Sequence, residues 1–211
     1  MNAPEIIKAL NWRFATQTFD STKKVSDEDL KTILEAARLT PSSFGIEAWK
    51  FLVIENPELR GKIREAAWGQ SKVTDASHLI VIARRTDVRE NITNELIERS
   101  AKIQGVAPEA LNGLKEMVTG SMVGRSEEEL DTYVQNQAYI ALGVMIETAS
   151  LLGIDNGPMG GFSPDKVDEI LGLKEKNLKS TVLLALGYRK EGDGMRPKVR
   201  RAFEEVVEFI K

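Results

Sequence analysis

"SEEELDTYVQNQAYIALGVMIETASLLG", residues 126–153, is the stretch on which the fold turns. It starts with a capping box: the Ser126 hydroxyl and the Glu129 carboxylate, three residues apart, can each satisfy a backbone N–H that the first helical turn leaves unpaired. Val134, Ala138, Ala141, Met145, Ala149 and Leu152 then recur at spacings of three and four, which predicts a helix over 127–152. Such a helix is about 39 Å long at 1.5 Å per residue. No charge falls between Asp131 and Glu147, so the helix is expected to be central and buried on more than one side.

Working outward, "STVLLALGY" (180–188) and "HLIVIA" (78–83) are short apolar runs of the kind found in strands covered on both faces. "AWKFLVIEN" (48–56) reads as a third strand, stopped by Asn56-Pro57. Helices are expected at 4–12, at 26–39 with Ser26 as N-cap and Asp27 to Asp29 at its positive end, and at 57–68. A further helix is expected at 164–173, with Ser163 as N-cap and Pro164 in the first position. Residues 87–125 are charged, helical in period and broken by Gly105, Pro108, Gly113, Gly120 and Gly124, which suggests a lid of short helices laid over the core. The tail from 197 reads equally as a helix or as an arm that packs elsewhere. Strands and helices mix without regular alternation, so the fold class is α+β, in one domain spanning 1–211.

With 29 basic and 32 acidic residues the net charge is −3, which argues against a nucleic-acid partner because that affinity needs a basic face. There is no cysteine, so disulfides, thiolate metal sites and a cysteine nucleophile are excluded, and a reducing cytoplasm is the natural compartment. No basic leader and no run of about 18 apolar residues is present, so an unprocessed protein without a membrane partner is expected. The lone histidine, His78, heads an apolar strand, where a packed or solvent-facing role is commoner than a catalytic one. One histidine and no cysteine leave only oxygen ligands for a metal, and no acidic loop has calcium-binding spacing, so no metal is expected.

"TPSSFG" (40–45) holds two hydroxyls after a helix-ending proline, but no glycine elbow and no partner histidine would activate a serine. "NGPMGGFSP" (156–164) matches neither the Walker phosphate loop nor the dinucleotide fingerprint. On its own it reads as a tight turn before a helix, or as backbone N–H groups offered to a flat ligand. Arg13, Lys72, Lys198, Arg200 and Arg201 are scattered cations, each unremarkable alone.

In order, "RFATQTFD" (13–20), "PSSFGIEAWKFLV" (41–53), "GQSKVTDASHLIV" (69–81), "GIDNGPMGGFSPDKVDEILGL" (153–173) and "KVRRAFEEVV" (198–207) resemble the FMN-dependent nitroreductases, with likeness to the short bacterial NAD(P)H nitroreductases and their dihydropteridine reductase-like branch. The resemblance spans nearly the whole chain. It implies a three-layer sandwich around a mostly antiparallel sheet, in a homodimer whose C-terminal arms are exchanged and whose long helices form the interface. It also implies FMN at that interface and NADH or NADPH as co-substrate. Hydride passes through flavin N5 to a nitroaromatic, quinone or similar small-molecule acceptor in a ping-pong scheme, with no side chain acting as acid or base.

By the same resemblance, Arg13, Lys198 and Arg200 hold the FMN phosphate, and Phe14, Ala15 and Gln17 line its approach. Gln70 and Lys72 face the pyrimidine edge, Pro158, Met159, Gly160 and Gly161 lie beside N5, and Pro41, Ser42, Ser43 and Gly45 reach the flavin from the other subunit. Ala15 and Gln17 stand where relatives carry Ser and a base, Glu47-Ala48 where many have Gln-Pro, and Gly160 where one branch has Glu. Two other readings stay open: a same-fold flavoenzyme acting on another acceptor by enone reduction or dehalogenation, and a flavin-binding or storage protein with little turnover. A cofactor-free interaction domain is a third.

Overall fold

The computed structural model describes residues 2–194 and 196–211. Helix α1 (Ala3–Trp12) is started by a capping box between Asn2 and Glu5, and α2 (Asp27–Arg38) by the Ser26 side chain. Strand β1 (Trp49–Ile54) leads to α3 (Pro57–Ala66), whose N-cap Asn56 accepts from the N–H groups of Glu58 and Leu59. A single turn, α4 (Lys72–Asp75), precedes β2 (His78–Arg85). The predicted excursion is helical: a π-turn (Val88–Ile92), α5 (Thr93–Gln104), a 3-10 turn (Pro108–Leu111) and α6 (Asn112–Val123). Then come α7 (Glu127–Leu151), β3 (Asp155–Met159), α8 (Pro164–Leu171) and β4 (Leu178–Gly187).

The four strands form one sheet in the order β1-β2-β4-β3, every neighbouring pair antiparallel. Side chains alternate across it, as the two-residue period requires. Leu79 and Val81 of β2 and Leu183 and Ala185 of β4 pack under α3 and α8, whereas Ile80, Ile82, Val182, Leu184 and Leu186 pack under α2 and α7. The chain is thus α+β with a central antiparallel sheet between two helical layers. Ile46, Ala48, Val88, Leu96, Val118, Met122 and Val134 make a separate cluster that fastens the 88–123 excursion to the start of α7.

Several expectations change. "NGPMGGFSP" was expected to be a tight turn, but Asn156 to Met159 belong to the edge strand β3, and Pro158 is tolerated there because an edge strand has N–H groups without ladder partners. The helix expected through 68 ends at Ala66, and the one expected through 173 ends at Leu171, with Gly172 left-handed (φ 58°). Ser163 occupies the N-cap position of α8 but makes no side-chain cap; its N–H donates to the Ala66 carbonyl at 2.9 Å instead. Within one chain α7 is buried on one side only: Val134, Ala138, Ala141 and Met145 are buried, while Tyr139 and Ile140 are 43% and 45% exposed. The tail resolves into neither a helix nor a strand of its own sheet; one 3-10 turn (Phe203–Glu205) interrupts it, and Phe203, Phe209 and Ile210 are exposed.

Candidate active site

The edge of β3 gathers most of the residues that the sequence singled out. The segment after α1 runs beside β3, with an isolated parallel bridge between Ala15 and Asn156 and a 3.1 Å bond from the Thr16 N–H to the Asn156 carbonyl. This approach explains Gly157, since a Cβ there would lie 2.8 Å from the Thr16 carbonyl oxygen and 3.5 Å from the Lys72 side chain. Lys72 is only 5% exposed, and its ammonium donates to Gln17 Oε1 at 3.2 Å. It has no ion pair among the described residues. Burial lowers its pKa, and the more distant Asp193 offsets this in part. Gln17 is held in turn: its Nε2 donates to the Ala15 carbonyl, and its backbone N–H donates to Asp193 at 2.8 Å.

Arg13, Lys198 and Arg200 form a second cationic group. None has a carboxylate partner among the described residues. Burial and then the Arg200 charge lower the pKa of Arg13; burial and then Arg13 and Arg200 lower that of Lys198. Like charges this close are unfavourable without an anion among them. Lys198 has a second task, since its ammonium donates to the carbonyls of Leu10 and Arg13 at 2.6 and 2.7 Å and so finishes the C-terminal end of α1. Phe14 packs near Gly194 in the loop that follows β4.

The glycine pair after β3 divides its duties. A Cβ on Gly160 would meet nothing within 4 Å, so its backbone faces open space, whereas one on Gly161 would lie 2.8 Å from the Trp68 ring. Gln70 Nε2 donates to the carbonyls of Gly161 (2.7 Å) and Ala67 (3.0 Å), which ties the 67–70 turn to the glycines and leaves Oε1 as the free end of the amide. Met159 is buried under the sheet and Pro158 half-buried beside it.

Pro41, Ser42, Ser43 and Gly45 lie elsewhere. No hydrogen bond or ion pair among the described residues joins this loop to the β3 edge. Phe44, Gly45 and Glu47 are all left-handed (φ 56°, 72° and 48°). Such conformations cost roughly 1–3 kcal/mol at each non-glycine position and persist only where surroundings enforce them. Here the Glu47 N–H donates to Ser42 Oγ, the Ser43 N–H to Gln137 Oε1 of α7, and Arg99 Nη2 of α5 to the Gly45 carbonyl. Glu47 also pairs with Arg99 at 3.4 Å, so its negative charge is answered from the excursion.

His78 is half-buried at the head of β2, its Nδ1 3.1 Å from Ser77 Oγ, and burial followed by the Arg60 charge lowers its pKa. It lies in a separate groove of about 500 Å³ with Arg60 and Lys24. Residues that sequence reasoning missed include Asp193, which fixes Gln17, and Arg189, whose guanidinium holds buried Asp155 and stacks 4.6 Å over Trp12. "GDG" at 192–194 carried a signal for the first: both glycines are left-handed and turn the chain so that Asp193 meets the Gln17 and Thr18 N–H groups.

The model of the Nitroreductase family matches residues 10–188. The chain belongs to the nitroreductase family. A Staphylococcus haemolyticus relative provisionally named an NAD(P)H nitroreductase is 40% identical over 215 residues, covering 97% of each chain. Among solved structures, ydfN of Bacillus subtilis, provisionally named a nitroreductase, superposes with a TM-score of 0.88 at 22% identity over 99% of this chain and 100% of that one. A provisionally named nitroreductase from Exiguobacterium sibiricum, solved in complex with FMN, gives 0.81 at 23% identity over 100% and 98%. At these identities the two structures show the nitroreductase fold, and the family match, through the Staphylococcus relative, shows that the chain is an oxidoreductase. No helix among the described residues is long and apolar enough to cross a membrane.

Proposed function

We propose that this nitroreductase is a cytoplasmic FMN enzyme that uses NADH or NADPH to reduce electron-poor small molecules such as nitroaromatics and quinones. The observation that carries the proposal is the cation set at the β3 edge. Among the described residues Arg13 and Arg200 have no carboxylate partner and buried Lys72 has only an amide oxygen, and a Cβ on Gly160 would meet open space. A flavin mononucleotide has the matching parts: a phosphate dianion, a polar pyrimidine edge that gains negative charge on reduction, and a flat ring. The donors therefore fit the group.

When bound, FMN supplies the two-electron chemistry that links the pyridine nucleotide to the acceptor. The chain's part is to bind and orient. Arg13 and Arg200 hold the phosphate, joined by Lys198 to the extent that its α1 contacts allow. Lys72 sets a cation at the pyrimidine edge and favours the reduced, negatively charged ring, with Gln17 and Asp193 fixing its position. Gln70 offers Oε1 to a ring N–H while its Nε2 secures the glycine loop. The small side of Gly160 admits the ring edge. No acid or base is required, in keeping with a site that lacks histidine.

The site is completed by a second copy. Tyr139 and Ile140 on the outer side of α7, and Phe203, Phe209 and Ile210 on the tail, leave apolar surface that a homodimer with exchanged tails would cover. The strained loop 41–45, separate from the β3 edge in its own chain, would then serve the partner's flavin, and the 87–125 excursion would act as the lid over it. Anaerobic spectroscopy tests the reading. FMN bound to the protein should bleach on addition of NADH or NADPH and recover its colour with a nitroaromatic or quinone; bound flavin that neither nucleotide bleaches would leave a binding protein and overturn the enzyme.

A further inference from the structure

Trp68 is not used by the assignment above, yet it is the most conspicuous side chain near the glycine pair. It is 72% exposed and left-handed (φ 57°), a conformation that a bulky residue rarely takes. The turn that imposes it is held from several sides. The Trp68 N–H donates to the Glu65 carbonyl, the Gly69 N–H to Arg64, and the Arg64 side chain back to the Gly69 carbonyl at 3.2 Å, while Gln70 clamps Gly161. One edge of the indole lies against Gly161, so closely that a methyl group there would be 2.8 Å from the ring. The rest of the side chain is exposed, and a Cβ on the neighbouring Gly160 would meet nothing within 4 Å. A strained backbone that lifts a large aromatic out of the core and sets it at the rim of an open backbone is what a binding surface for a ring requires.

We propose that the exposed indole of Trp68 receives the flat, electron-poor ring of the acceptor and so determines which acceptors the enzyme prefers. The inference rests on the proposed function and deepens it. Indole is electron-rich on its face, so it stacks best on rings depleted by nitro or quinone carbonyl groups, and it offers little to a small non-aromatic oxidant. Gly161 is then a positioning residue, since a side chain there would displace the indole edge.

The test uses FMN-loaded enzyme and two oxidants, a benzoquinone and ferricyanide, with Trp68→Gly and Trp68→Phe. Glycine accepts the left-handed turn without strain, so Trp68→Gly is expected to fold, and flavin content is measured on the same samples. The ratio of kcat/KM for the quinone to that for ferricyanide should fall roughly 3- to 10-fold in Trp68→Gly, mainly through a higher quinone KM, and recover most of its value in Trp68→Phe. An unchanged ratio, or an equal loss with both oxidants, would overturn the proposal, as would loss of FMN from both variants, which would make Trp68 a structural residue. If wild-type protein takes up no FMN or is not bleached by NAD(P)H, it is the proposed function that falls.

Discussion

The two ends of β2 treat a buried cation in opposite ways. At its far end Arg84, 8% exposed, makes a two-pronged contact with Asp131 of α7 at 2.7 and 2.8 Å and donates further to the Ser180 carbonyl and Thr181 Oγ1. Neighbouring Arg85 is fully engaged with Asp87 and Glu95. Near the first end Lys72 is buried more deeply and has one amide oxygen, and among the described residues neither Arg13 nor Arg200 has a carboxylate partner. Removing a charge from water is costly unless it is paired and hydrogen-bonded. The fold meets that need at Arg84 and, among the described residues, meets it at buried Lys72 with an amide oxygen alone, while Arg13 is half-buried and Arg200 exposed; on the proposed function these three cations answer a ligand.

Breaking the structural end should have the largest effect on the fold. Asp131→Asn leaves Arg84 buried with carbonyl and hydroxyl acceptors only, and should lower unfolding stability by about 2–3 kcal/mol in urea titrations, below the usual loss for a fully buried pair because Asp131 is partly exposed. Hydrogen bonds from Arg84 hold the Asp131 carboxyl below its ordinary value. Its contribution is therefore present above about pH 3.8 and lost as pH falls through the lower folded value, so wild type and Asp131→Asn should converge in acid.

At the ligand end the pattern should invert. Arg200→Ala should weaken FMN binding by about 2 kcal/mol, roughly 30-fold, with apo stability hardly changed; equal FMN affinity by calorimetry would remove the phosphate assignment. Lys72→Met should leave the apo fold as stable as before or up to about 1 kcal/mol more stable, while making bound flavin harder to reduce. Because burial depresses the folded pKa of Lys72, the unfolded chain binds the extra proton just below pH 10.5. Wild-type stability should rise with pH through that window, a slope that Lys72→Met abolishes.

The smallest contrast separates the glycines. Gly160→Ala should leave the apo protein within about 0.5 kcal/mol of wild type and act on flavin occupancy. Gly161→Ala should cost about 1 kcal/mol by displacing Trp68, an effect that disappears when Trp68 is already Gly.

Helices and inner strands were legible because their signals are local. The capping box at Ser126, the Asn56-Pro57 stop and the apolar runs of β2 and β4 act within a few residues and are realised as read. β3 was not legible. Asn156, Gly157 and Pro158 are poor strand formers, and only pairing with Leu184 to Leu186 on one side and Ala15 on the other makes them extended. The nearness of Arg13, Lys198 and Arg200 was likewise not legible from local signals, since it comes from the tail lying against the end of α1, where Lys198 donates to the Leu10 and Arg13 carbonyls. Trp68 escaped because nothing in "AAWGQ" announces a left-handed tryptophan; the tertiary clamp from Gln70 to Gly161 enforces it. The outer side of α7 misled for a different reason, as an uncharged helix surface reports burial without saying which chain supplies the cover.

Titrating apo-protein with FMN and with riboflavin, which lacks the phosphate, decides whether Arg13 and Arg200, without a carboxylate partner among the described residues, hold a flavin phosphate. FMN should bind at least about 100-fold more tightly, the advantage should shrink as salt is raised, and it should largely vanish in a variant lacking Arg13 and Arg200. Equal affinity for the two flavins, or no binding of either, would contradict the phosphate assignment.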